Sequence, residues 1–333
     1  MKVLLYFEGS RWIKQSGIGR AMNHQMLALQ SQGISYTLSP NDAYTIAHVN
    51  TIGPKSKAII NWSHAHNKKV IVHAHSTKED FRCSFRFSNT IAPVFYQRLC
   101  HIYRLGDHLI TPSEYAKSLL QGYGLKQPIH AISNGVDTEQ FHYDEQKAKA
   151  FRKAFHLSQD QQVVVGVGFL FERKGIFDFV AAAKALPHVR FIWFGSHAGM
   201  LTPAKIRRLV KHPLSNVTFP GYVEGDLLKG ALCGSDAFFF PSYEETEGIA
   251  VLEALACEQQ VIVRDIGVYH PWLVHGKNCY KGSNQREMIQ LLSASLDHRL
   301  PHLGKKGRIC AQERNIARIG EELREVYEQV LRE

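Results

Sequence analysis

Short apolar runs alternate along the chain with segments whose apolar positions recur at helical spacing. The runs at residues 2–7, 35–38, 46–50, 69–75, 107–111 and 129–132 are too short for helices and bounded by polar or turn residues, as buried parallel strands are. Helices are predicted between them. One opens at Gly17 and carries Ala21, Met22, Met26, Leu27 and Leu29, another begins at Pro54, and Ser113 caps a third through Ala116 and Leu119. A polar stretch rich in Lys, Gln and Asp, residues 143–157, reads as a connector, which places a domain boundary near Gln159. The alternation then resumes. Strands are predicted at 163–168, 190–194, 217–219, 237–240 and 260–265, with helices at 175–186, 203–210, 227–233 and from Ala250. Residues 313–333 form an amphipathic helix with Ile316, Ile319, Leu323, Val326, Tyr327 and Val330 on one face. The expected fold class is α/β, with two doubly wound Rossmann-like domains, 1–158 and 159–311, followed by a terminal helix, 312–333.

In such sheets ligands bind outside the carboxyl ends of the strands, so the strand-to-helix loops hold the candidate chemistry. Pro241 ends the strand at 237–240, and Gly248 and Ile249 lead into the next helix, whose N-terminus suits a phosphate. Glu245 and Glu253 frame this loop. By spacing alone they read equally as a charged loop and a dipole-compensating acid. Glu172-Arg173-Lys174-Gly175 sets two adjacent cations before another helix, suited to a diphosphate or to a solvated loop. Gly17 and Gly19, in Ser16-Gly17-Ile18-Gly19-Arg20, allow close backbone approach to a ligand, though without the dinucleotide spacing, and otherwise make a tight turn. In His73-Ala74-His75 both rings point to one side of a strand. The pair has no acid or cysteine at a typical metal spacing, so structural histidines are the broader reading and no metal is expected.

Composition narrows the class. The 333 residues are 44% hydrophobic and 21% charged, as in a folded globular protein, and no apolar run is long enough to span a membrane. The start, MKVLLYFEGS, is too short and too soon acidic for a secretion signal, so a cytoplasmic location is expected. Six scattered cysteines indicate neither a zinc knuckle nor a disulfide framework. The formal net charge of +10 points to an acidic partner. Residues 81–104 sharpen this, because Arg82, Arg86, Arg98 and Arg104 are interleaved with Phe81, Phe85, Phe87, Phe95, Tyr96 and Tyr103 and no acid occurs. That mixture suits an anionic membrane surface, or a core-packed helix with a basic edge.

The string PSYEETEGIAVLEALA, with Glu245 and Glu253 separated by seven residues, resembles the signature of retaining glycosyltransferase family 4. SNGVD, ERKG and HAHST follow the family's order over nearly the whole chain. The resemblance implies the GT-B fold, with two domains facing a cleft and the terminal helix crossing back onto the first. It assigns Glu245 to the transferred sugar, Glu253 to the nucleotide ribose, Lys174 to the donor phosphates, and Gly17 and Gly19 to a loop facing donor and acceptor. His75 matches the family's sugar-contacting histidine better than His73. Two departures stand out. The usual Glu-Gly-Phe-Gly is here Glu245-Thr246-Glu247-Gly248, and the family's first arginine is replaced by Phe169, with Arg173 the candidate substitute. KVLLYFEG, SGIGR, HAHSTKEDF and TPSEYAKSLL are most similar to bacterial enzymes that add a second hexose to monoglucosyl-diacylglycerol, a glycolipid that anchors lipoteichoic acid. The resemblance therefore implies a UDP-hexose donor, glucose or galactose, a glycolipid acceptor, transfer with retention, no cofactor, and a peripheral place on the inner face of the membrane. Alternatives are a polyprenyl-linked or capsular acceptor and, from another class, a non-catalytic basic module binding membrane or nucleic acid; nucleic acid is not the expected partner.

Overall fold

Every apolar run of the first half becomes a parallel strand. The computed structural model describes residues 1–9, 17–196 and 199–333; Ser16 of the SGIGR loop lies outside them. In chain order the elements are β1 (Lys2–Tyr6), α1 (Gly17–Ser31), β2 (Ser35–Thr37), β3 (Ile46–Val49), α2 (Pro54–Ala65), β4 (Lys69–His73), α3 (Lys78–Phe81), α4 (Ser88–Tyr103), β5 (His108–Thr111), α5 (Glu114–Gly122) and β6 (Ile129–Ala131). They form a parallel sheet of order β2-β1-β3-β4-β5-β6. Alternate strand residues feed opposite faces. Leu4, Ala47, Val70, Val72 and Leu109 pack with Leu99, Ile102 and Leu120 on one side, while Val3, Leu5, Ile46, Ile71 and Ile110 pack on the other. Ser113 accepts a hydrogen bond from the Ala116 amide and starts α5 as its sequence position predicts.

The second sheet follows from α6 (Glu145–Ala154), β7 (Val163–Val167), α7 (Ile176–Ala185), β8 (Arg190–Phe194), α8 (Ala204–Lys211), β9 (Val217–Gly221), α9 (Gly225–Gly234), β10 (Ala237–Phe240), α10 (Ile249–Ala256), β11 (Val261–Arg264), β12 (Tyr280–Gly282), α11 (Gln285–Leu296) and α12 (Gly304–Gln312). Its order is β12-β11-β10-β7-β8-β9, all parallel. Strand order therefore reverses between β7 and β10, which creates a crevice at their carboxyl ends. Trp193, Phe179, Phe238, Phe239 and Phe240 are fully buried around these strands.

By their internal packing the residues divide into Met1–Phe81, Asn89–Gly135 and Arg314–Glu333, and into Arg82–Ser88 and Val136–Glu313. The division falls at Gly135/Val136 rather than near Gln159. Helix α6 belongs to the second unit because Phe151 is buried beside Phe194, Arg152 donates to the Gly234 carbonyl, and Lys229 pairs with Asp144. The last helix, α13 (Ile316–Arg332), belongs to the first unit. It lies against α1 and presses Ile319, Leu323, Val326, Tyr327 and Val330 into the sheet's second core, with Ile316 at its edge. Replacing Leu323 by Ala should therefore lower unfolding free energy by roughly 2–5 kcal/mol in a urea titration, whereas a loss below 0.5 kcal/mol would mean that α13 does not close this core.

Candidate active site

In the second unit the candidate residues sit on the two loops that flank the strand-order reversal. After β7 the chain makes a 3₁₀ turn, Glu172–Lys174, and Gly175 adopts a left-handed φ of 77°. A Cβ on Gly175 would stand 2.2 Å from the Pro241 carbonyl oxygen, so glycine is what lets the Arg173-Lys174 turn close onto the loop after β10. Lys174 Nζ then donates to both oxygens of Glu245, at 2.6 and 2.8 Å. Arg173 approaches from the other side. Its guanidinium lies 3.9 Å from Glu245 Oε1 and donates to the Glu244 carbonyl at 2.6 Å. Ser242 Oγ donates to Glu245 Oε1 at 2.6 Å.

Burial alone would raise the Glu245 carboxyl. Lys174, Arg173 and the hydrogen bonds from Lys174 and Ser242 outweigh it and hold the group below the ordinary glutamate value. Glu245 is thus a charged, buried carboxylate beside two cations. Behind it Arg264 pairs with Asp178 at 2.9 Å, donates to the Pro241 carbonyl at 3.2 Å, and stacks over Tyr243 at 3.9 Å. The loop is braced from below.

Gly248 caps α10 with φ 100°, a conformation open to glycine, and a Cβ there would lie 3.0 Å from Tyr269 Oη. Ile249 is the first residue of α10, and Glu253, buried, lies one turn on. The displaced glycine of the loop thus has a backbone reason. Glu247 is buried too, not a solvated acid. Phe169, at the position of the family arginine, stacks on Phe171. Arg173 is further fixed by residues 82–88: its amide donates to the Cys83 carbonyl at 3.0 Å and its Nε to Ser84 Oγ at 3.1 Å.

In the first unit His73 and His75 stack with ring centroids 3.9 Å apart, and His48 stacks on His73 at 5.3 Å. Gln25, on α1, organises them. Its Nε2 can only donate, and it reaches Asn50 Oδ1 at 2.8 Å and His73 Nδ1 at 2.9 Å. His73 Nδ1 therefore accepts, and it accepts also from His48 Nε2 at 3.1 Å, which leaves His48 Nδ1 to receive the Tyr327 hydroxyl at 2.6 Å. Asn50 Oδ1, an acceptor, takes the Nε2 proton of His75 at 2.7 Å. All three rings are neutral. Burial pushes His48 and His75 down to about 3, and His73 well below its ordinary value with a further push from His75 and His48. His73 Nδ1 is taken up within this chain, while its protonated Nε2 is buried with no partner among the described residues; His75 keeps Nδ1 as an acceptor. Gly19 is buried near the start of α1 and Gly17 is its exposed first residue.

The basic aromatic segment is not one element. Arg82 and Arg86 are exposed and Phe85 half-buried in the stretch belonging to the second unit, while Arg98 and Arg104 lie on or just after α4. Arg98 Nε donates to the Ile52 carbonyl at 2.8 Å, so that side chain serves the fold. Arg104 is exposed, as are Ile91 and Val94 of α4. Gln25, Asn50, Ser84, Ser242 and Arg264 were not singled out by sequence reasoning. Only Ser242 had a signal, its place beside Pro241.

Residues 147–328 match the Glycosyl transferases group 1 family and residues 24–140 match Glycosyltransferase Family 4. The chain is 45% identical to the processive diacylglycerol alpha-glucosyltransferase of Acholeplasma laidlawii, over 100% of this chain and 99% of that one. It is 30% identical to the alpha-galactosylglucosyldiacylglycerol synthase of Streptococcus pneumoniae, over 53% of this chain and 46% of that one. Among solved structures, sucrose-phosphate synthase from Thermosynechococcus elongatus superposes with a TM-score of 0.81 at 18% identity, covering 99% of both chains. Anabaena HepE in complex with UDP-glucose superposes with a TM-score of 0.78 at 16% identity, covering 99% of this chain and 100% of that one. These likenesses show the GT-B fold.

Two outcomes follow from the site. The unfolded chain binds histidine protons near the ordinary 6.5, but the folded site refuses them until about 3, so stability is greatest above pH 6.5 and falls as pH drops through that window. Unfolding free energy should decline between pH ~7 and ~5 by up to about 1.4 kcal/mol per pH unit for each such ring, and His48→Asn should flatten the profile; an unchanged slope in the variant would contradict the neutral chain. Separately, Lys174→Met removes the main partner of a buried carboxylate and should cost about 3–5 kcal/mol, much of it restored by adding Glu245→Gln. A double-mutant cycle in denaturant measures this, and simple additivity would sink it.

Proposed function

The chain belongs to the glycosyl transferases group 1 family, and from that premise we propose that it moves an α-hexose from a UDP-sugar to a hydroxyl of a diacylglycerol-linked glycolipid. The observation that carries the reading is the cluster of Arg173, Lys174 and Glu245 at the strand-order reversal, beside the N-terminus of α10. The name of the 45% identical relative supports glucose as the hexose and a diacylglycerol lipid as the acceptor class. Monoglucosyl-diacylglycerol is the acceptor that the motif resemblance favours.

In this reading the bond between the anomeric carbon and the β-phosphate oxygen breaks while the acceptor oxygen bonds to the same face of that carbon. The acceptor proton passes to the departing phosphate. Arg173, Lys174 and the amides at the start of α10 stabilise the negative charge left on UDP. Glu245 holds the transferred sugar through its hydroxyls, His75 accepts from one of them at Nδ1, and Glu253 holds the ribose. Gly248 and Ile249 let the start of α10 approach the donor closely, and Gly17 and Gly19 keep the role that the motif resemblance implies, a loop whose backbone admits a ligand. In this reading no metal is required for the charge stabilisation, because Arg173, Lys174 and the α10 amides supply it.

No helix of the described residues is long and apolar enough to cross a membrane. A diacyl acceptor stays in the bilayer, so the protein must come to the surface, and Arg82, Phe85, Arg86 and Arg104 supply charge and apolar contact for an anionic inner leaflet. UDP release from UDP-glucose and monoglucosyl-diacylglycerol in mixed micelles tests the function. Glu245→Gln should lower kcat by about 10²–10³-fold, Glu253→Gln should mainly weaken UDP binding, and EDTA should leave the rate unchanged. Wild-type turnover in both variants, or abolition by EDTA, would refute the assignment.

A further inference from the structure

From Phe179 to Val223 the chain contains Lys184, Arg190, Lys205, Arg207, Arg208 and Lys211 and no Asp or Glu. Four of these cations fall on the two turns of α8. Ile206 is fully buried and anchors the helix, with Leu209 and Val210 half-buried beside it. At 3.6 residues per turn, Arg207, Arg208 and Lys211 share the opposite arc, and all three are exposed. With His212 they line a shallow concavity of about 700 Å³ whose wall contains no acid.

Exposed apolar side chains lie just before this helix. The 3₁₀ turn Gly199–Leu201, just before α8, leaves Met200 89% and Leu201 50% exposed. The Leu201 carbonyl accepts from the Arg86 amide at 2.7 Å, which brings the Arg86-Phe87 loop to the same edge of the second unit. Phe87 is 58% exposed, with the Arg86 guanidinium 4.6 Å from its ring centre. An exposed thioether, a leucine and a phenyl ring beside an acid-free cationic helix match a surface that is anionic at its headgroups and apolar just beneath. A nucleic-acid backbone would use the cations but not the apolar tip.

We propose that this edge of the second unit docks onto an anionic phospholipid bilayer, with Met200, Leu201 and Phe87 inserting shallowly and Arg207, Arg208 and Lys211 meeting the phosphates. The proposal rests on the membrane reading above, and extends it from Arg82, Arg86 and Arg104 to a helix that the glycolipid assignment does not use. Because the three cations lie on a solvent-facing arc, they can be removed without touching the core or the donor site.

The test is sedimentation of the full chain with vesicles of equimolar phosphatidylglycerol and phosphatidylcholine, beside phosphatidylcholine alone, with UDP affinity measured in parallel. Arg207→Gln/Arg208→Gln/Lys211→Gln should lose roughly a hundredfold in partitioning to the anionic vesicles, about 3 kcal/mol at 1.4 kcal/mol per decade, and show a shallower salt dependence. UDP affinity should stay that of the wild type. Met200→Ser/Leu201→Ser should weaken partitioning while leaving the salt dependence in place. Wild-type sedimentation by the triple variant, while Arg82→Gln/Arg86→Gln/Arg104→Gln is released, overturns the α8 proposal and leaves the membrane reading standing. A wild-type chain that ignores anionic vesicles overturns both. Loss of affinity for a DNA oligonucleotide but not for vesicles would assign the face to nucleic acid instead and also overturn it.

Discussion

The ion pair between Lys174 and Glu245 is the interaction around which the second unit is arranged. A carboxylate as buried as Glu245 is tolerable only if cations and donors meet it, and their geometry must be good because the desolvation cost is several kcal/mol per ion. Each supporting feature serves that demand: the left-handed Gly175 that closes the cationic turn onto Pro241, the Ser242 hydroxyl, the Arg173 guanidinium, and the Arg264–Asp178 pair beneath the loop. The site therefore holds its positive charges in place without a ligand. Cations fixed in this way are preorganised in the electrostatic sense, because their positions are set by the fold.

The first unit meets the same problem without charge. Tyr327, His48, His73, Gln25, Asn50 and His75 form a neutral relay in which each proton is assigned by its neighbour, beginning from the fact that an amide nitrogen cannot accept. The relay draws on α1, on the strands β3 and β4, and on α13 at the far end of the chain. A ring presented this way is an acceptor of fixed orientation. Such a group can accept from a hydroxyl but is poorly matched to proton transfer near neutral pH.

Local signals explain what the sequence made legible. Strand runs such as residues 190–194 and 237–240, the Ser113 cap and the apolar face from Ile319 to Val330 each depend on neighbours within a few turns. The Arg173-Lys174 pair and Glu245 could be picked out by motif, but the side chains that set their state could not. Ser84 meets Arg173 across 89 positions, and Asn50 meets Gln25 and His75 each across 25. The boundary was misplaced for a related reason: α6 looks solvated in composition, yet Ala148 and Phe151 are buried. The short strand β12 and the helix α12 escaped because their apolar residues are few and diluted by Lys and Gly, whereas α11, with Met288, Leu292 and Leu296 at helical spacing, did carry a local signal.

The assignment of residues 82–88 bears on how this protein can be rearranged. The chain passes from one unit to the other at Phe81/Arg82, Ser88/Asn89, Gly135/Val136 and Glu313/Arg314, so neither unit is a continuous stretch of the gene. A chimaera spliced at one linker would inherit Arg173 from one parent and the Cys83 carbonyl and Ser84 hydroxyl that orient it from the other. A functional splice between relatives must therefore carry the seven-residue stretch 82–88 along with the second unit, so that residues 84 and 173 are inherited together.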